Sequence, residues 1–124
     1  MKTVFLAEDS NIQAMIYKRA LQRLPNLDII HFEDGLEVYL AAFRNPPDLL
    51  ILDIMLPTLS GVAALRLLKF DREMAKVPVL ILSALTEDDI EFKVRDMRAD
   101  GYLPKPVKPE QLINEVERIL GVLR

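Results

Sequence analysis

Short runs rich in apolar residues, at 4–7, 27–32, 49–52, 77–82 and 102–103, alternate along the chain with stretches of helical pattern. This alternation limits the fold more than any other feature. A strand covered by helices on both faces is apolar throughout, not at every second residue. Leu49-Leu50-Ile51-Leu52 and Val79-Leu80-Ile81-Leu82 read in that way. The helical stretches are 11–24, 36–44, 60–72, 86–98 and 110–123. Ile12, Met15, Ile16 and Ala20 recur at helical spacing in the first, and Leu112, Val116, Ile119 and Leu123 in the last. Thr86 followed by Glu87, Asp88 and Asp89 has the form of an N-cap with first-turn acids. Pro109 suits a first helical turn, and Pro25, Pro46, Pro47 and Pro78 punctuate the rest.

Repeated strand–helix pairs imply a parallel sheet with helices on both faces and right-handed crossovers. Ligands of such sheets bind beyond the carboxyl ends of the strands, where the strand order switches. Asp53 follows the most apolar run, Glu8 and Asp9 follow the run 4–7, and Ser83 and Lys105 follow the last two. On neighbouring strands, the three acids converge. Packed carboxylates repel, and burial raises the cost. A hard divalent cation with oxygen ligands relieves it. Acids with one lysine at strand ends suggest phosphoryl transfer.

Composition removes other classes. At 124 residues, one domain spanning 1–124 is expected, with a core of ordinary size. A net charge of −3 with mixed signs argues against nucleic acid or an anionic membrane as partner. The chain has no cysteine, which excludes disulfides and thiolate chemistry and fits a reducing compartment. Acids follow the first apolar run at once, so it does not read as a signal peptide, and no run approaches membrane-spanning length. A soluble, cytoplasmic protein is expected.

In order along the chain stand Glu8-Asp9, Asp53-Ile54-Met55-Leu56-Pro57 with Gly61, Ser83-Ala84, Tyr102 and Lys105-Pro106. This set resembles the receiver domain of two-component response regulators over essentially the whole chain. The resemblance implies a (βα)5, flavodoxin-like three-layer α/β sandwich with a parallel sheet in the order 2-1-3-4-5. It implies that Asp53 is the phosphoacceptor. Glu8, Asp9, Asp53 and the Met55 carbonyl would hold Mg2+, or Mn2+ in its place. The family more often has Asp where Glu8 stands, so Glu8 would act directly or through a water. Lys105 would pair with a phosphoryl oxygen, turned inward by a cis peptide to Pro106. Ser83 and Tyr102 would be the switch pair, with the Ala84 N–H close to the phosphoryl oxygens. Met55 and Leu85 would flank the attacking water and prolong the phosphorylated state. His31, the only histidine, is expected off the site.

The implied function is a phosphorylation-dependent signalling switch rather than an enzyme. Its donor would be a histidine kinase or a histidine phosphotransfer protein. Its output would be a downstream protein or a second copy, bound through the 86–98 helix, the last strand and the last helix. Two alternatives remain at this point: a degenerate receiver that binds unphosphorylated, and an aspartyl-nucleophile phosphatase. The latter usually carries an acid two residues after the nucleophile, where this chain has Met55.

Overall fold

In a computed structural model, which describes residues 1–84 and 98–122, five strands lie parallel in one sheet. They are β1 (Lys2–Ala7), β2 (Leu27–Phe32), β3 (Leu49–Asp53), β4 (Val79–Ser83) and β5 (Gly101–Pro104), in the order β2-β1-β3-β4-β5. The described helices are α1 (Asn11–Leu21), α2 (Gly35–Arg44), α3 (Gly61–Phe70) and α4 (Pro109–Leu120), with a 3-10 turn at Met74–Lys76. The expected strand order is therefore found. The expected 86–98 helix with its Thr86 cap, together with Leu85 and Leu123, lies outside the described residues, except Arg98.

The sheet divides the core into two layers by alternation. Phe5, Ala7, Leu50, Leu52, Val79 and Ile81 pack on the side of α2 and α3. Val4, Leu6, Leu49, Ile51, Leu80 and Leu82 pack on the side of α1 and α4. All five residues of β3 and of β4 are buried, which explains their unbroken apolar sequence.

Several boundaries differ from the periodic reading. α1 ends at Leu21; Leu24 is buried just beyond it, its N–H donating to the Leu21 carbonyl at 3.0 Å. β4 starts at Val79 because Val77 closes the 3-10 turn and Pro78 has no N–H to give. α1 also buries another face than the apolar spacing suggested. Ala14, Tyr17, Ala20 and Leu21 face the core, while Ile12 is 74% exposed, Met15 61% and Ile16 48%. Two small alanines stand on the buried face, and of the four residues at apolar spacing only Ala20 is buried.

Two glycines hold the loop after β3. A Cβ on Gly61 would stand 2.2 Å from the Asp53 carbonyl oxygen, and one on Gly35 would stand 1.6 Å from that of Leu59. The Gly61 N–H donates to the Ile54 carbonyl at 2.8 Å, and that of Gly35 to the Pro57 carbonyl at 3.2 Å. Asp34 caps α2 by accepting the Leu36 and Glu37 N–H groups, and the Thr58 hydroxyl donates to it at 2.6 Å. The loop 54–60 is thus fastened to both α2 and α3.

Candidate phosphoryl-transfer site

Register brings the strand ends level. Ala7 lies opposite Leu52, Asp53 opposite Leu82, and Ser83 opposite Pro104. Glu8, Asp9 and Lys105 follow directly, beyond the carboxyl edge and beside the point where the strand order switches between β1 and β3. Glu8 is 1% exposed, Asp53 4% and Ser83 1%. They are the buried polar residues among those described.

One carboxylate oxygen from each of Glu8, Asp9 and Asp53 lies within 4.8 Å of the others. Lys105 Nζ donates to Asp53 Oδ2 at 2.6 Å and to Glu8 Oε2 at 3.2 Å. Three carboxylates against one ammonium leave two negative charges uncompensated when all are ionised. Burial pushes the Glu8 carboxyl up to about 7, and its hydrogen bond to Asp53 and the Asp53 charge add to the shift. Burial alone would lower the Lys105 ammonium, but the Asp53 hydrogen bond and charge, with those of Glu8, outweigh it and raise it.

The remaining residues of the motif have definite places. Asp53 Oδ1 accepts the Met55 N–H at 3.0 Å, while the Met55 side chain is 64% exposed. The Lys105 N–H donates to the Ser83 carbonyl at 2.6 Å, which ties the ends of β4 and β5 together. The Lys105–Pro106 peptide is cis. Tyr102 is half-buried against the α2–α3 side of the core. Ala84 is exposed one residue beyond Ser83.

Two site residues have no counterpart in the sequence motifs. Gln13, in the first turn of α1, accepts from Lys105 Nζ at 3.0 Å. His31, on β2, donates from Nε2 to the Glu8 carbonyl at 2.7 Å, holding the peptide that carries the buried acid. It touches backbone and not the carboxylates, in keeping with its place off the cluster. A histidine in a strand and a glutamine in a helix have many ordinary uses, so neither is visible without the fold.

Comparison with known proteins agrees with this geometry. The chain belongs to the response regulator receiver domain family, whose model matches residues 4–117. It is 29% identical over 120 residues to the polar-differentiation response regulator DivK of Brucella ovis, covering 97% of each chain. The receiver domain of Francisella response regulator 1452 superposes with a TM-score of 0.88 at 27% identity, over 98% of each chain. The signal receiver domain of a signal transduction histidine kinase from Syntrophus aciditrophicus gives 0.87 at 28%, over 98% of this chain and 91% of that one. Membership places the chain among the phosphorylation-dependent signalling domains of two-component systems. No described helix is long and apolar enough to cross a membrane.

Proposed function

We propose that this chain is a phosphorylation-dependent switch in which Asp53 takes a phosphoryl group from phosphohistidine on a kinase or phosphotransfer protein. The observation that carries the reading is the buried Asp53 carboxylate, held between two further acids and the Lys105 ammonium at 2.6 Å. One Asp53 oxygen attacks phosphorus. The P–N bond to the donor imidazole breaks with its electron pair going to the imidazole, and an acyl phosphate remains. The all-oxygen donor set suits Mg2+, held by Glu8, Asp9, Asp53 and the Met55 carbonyl. When bound, Mg2+ neutralises charge on the carboxylates and on the phosphoryl oxygens. Lys105 supplies a point charge for a phosphoryl oxygen.

Ser83 and Tyr102 act as the switch pair in this reading, and the face of β5 and α4 carries the signal to a downstream partner or a second copy. The exposed Ile12, Met15 and Ile16 beside the site support docking of a protein donor on α1. Met55, and Leu85 from the sequence alone, offer no hydrogen bond to an attacking water, so the phosphorylated state is long-lived.

Intact mass after incubation with Mg2+ and a small acyl phosphate tests the reading. The parent gains one phosphoryl group and Asp53→Asn gains none. A parent that gains nothing would be a binding module instead. Decay of the product after donor removal tests the lifetime, and it accelerates in Met55→Asn combined with Leu85→Glu. Equal decay in parent and double variant would remove these two positions from that role.

A further inference from the structure

We infer that Gln13 is a positioning residue for Lys105 during phosphoryl transfer, an inference that rests on Asp53 being the acceptor. An ammonium has three protons and no acceptor. Here they are directed to Asp53 Oδ2 at 2.6 Å, Gln13 Oε1 at 3.0 Å and Glu8 Oε2 at 3.2 Å. Two of these acceptors are carboxylates of the cluster fitted for a cation. A carboxylate that donates its lone pairs to a divalent ion has less to offer an ammonium. The third acceptor is a neutral amide from a different element. It keeps its hold on Lys105 whichever way the acids are engaged, and leaves two N–H bonds for the incoming phosphoryl oxygens.

Gln13 is exposed, and its amide has one further contact. Its oxygen also accepts the Tyr17 hydroxyl at 3.4 Å, and the Lys105 ammonium, which can only donate, sets the oxygen and not the nitrogen towards it. The Gln13 backbone N–H donates to the capping Ser10 Oγ at 3.2 Å, which anchors the turn that carries the side chain. A lysine stem is rich in rotamers and flexible along four carbons, so a lateral acceptor narrows where the charge can go. The competing reading is a surface glutamine that merely meets a nearby lysine.

Gln13→Met keeps the length of the side chain and removes the acceptor; Gln13→Glu keeps an acceptor. Both are compared with the parent for phosphorylation by a small acyl phosphate at saturating Mg2+, for Mg2+ affinity by calorimetry, and for thermal midpoint. Loss of one charge-assisted hydrogen bond is expected to slow the Met variant roughly three- to tenfold. Its Mg2+ affinity and midpoint should stay at the parent values, and the Glu variant should recover most of the rate. In the metal-free protein, the Lys105 ammonium signal by 15N NMR should broaden or vanish in the Met variant only. A Met variant that reacts at the parent rate overturns the inference, as do Met and Glu variants slowed alike with the ammonium signal intact. A parent that gains no phosphoryl group overturns the reading of Asp53 first, and the inference with it.

Discussion

Two half-buried lysines stand at opposite ends of the sheet and are held in opposite ways. Lys105, beyond the carboxyl ends, lies against Asp53 and Glu8, and its side chain is 15% exposed. Lys69, on α3 near the amino end of β4, is 11% exposed and donates to the Ala75 and Val77 carbonyls, each at 3.0 Å. Its carboxylate, Asp100, stands farther off at 3.8 Å and already accepts the Val79 N–H at 2.7 Å. Burial lowers the Lys69 ammonium, and Asp100 offsets that only in part, whereas the Lys105 ammonium is raised. The difference lies in the partners. Backbone carbonyls give Lys69 saturated, neutral hydrogen bonds that close the turn before β4. Paired acids give Lys105 an excess of negative charge, which a metal or a phosphoryl group can rearrange. One lysine fastens backbone, and the other is held by the acids at which transfer is proposed.

Replacing each lysine by methionine tests this contrast. Lys105→Met is expected to have the largest effect. Removing one preorganised charge from a transferring phosphoryl group costs on the order of a hundredfold in rate. Phosphorylation by the small acyl phosphate at saturating Mg2+ should fall by about that factor while circular dichroism shows the fold retained. A fall of less than about threefold would make Lys105 a structural lysine like the other.

Lys69→Met should give the reverse pattern. Two part-buried carbonyls lose their donor and Asp100 loses its counter-charge, so unfolding in urea should show a loss of about 1–3 kcal/mol. The phosphorylation rate of the folded protein should stay within about twofold of the parent. Unchanged stability would break the comparison from the other side.

The two lysines also show what a sequence reveals. The strands are visible because β3 and β4 are buried on both faces and carry no polar break before their ends. Asp53 and Ser83 are visible because they stop those runs, Lys105 because it follows the last short run, and Gly61 and Pro57 because they shape the loop after Asp53. Lys69 is not, since nothing in Leu68-Lys69-Phe70 separates a lysine closing a turn from one in water. The buried face of α1 is hidden for a different reason. Hydrophobic spacing selected Ile12, Met15, Ile16 and Ala20, but of these only Ala20 is buried, beside Ala14, Tyr17 and Leu21, and Phe70 of α3 is similarly left outside, at 94% exposure. Periodicity reports where apolar side chains lie, not which face gains most from burial. Gln13 and His31 depend on neighbours from other elements and carry no local signature.

The last expected effect concerns pH, and it separates the two ends of the sheet through an acid rather than a lysine. In metal-free protein, the Glu8 carboxyl titrates at about 7 when folded, against 4.5 for an ordinary glutamate. The folded state therefore binds more protons than the unfolded chain between those values, and stability must fall as pH rises through that window. The contribution is fully present below the lower value and gone above the upper one. The surroundings of Lys69 add nothing there, because its lowered pKa bears on the alkaline side. Urea unfolding in chelator from pH 4.5 to 7.5 should show the decline in the parent and in Lys69→Met alike. Glu8→Gln, which cannot ionise, should flatten it, and saturating Mg2+ should weaken it by favouring the charged form. An equal slope in Glu8→Gln and parent would show that the acid cluster is not where the folded protein holds its extra proton.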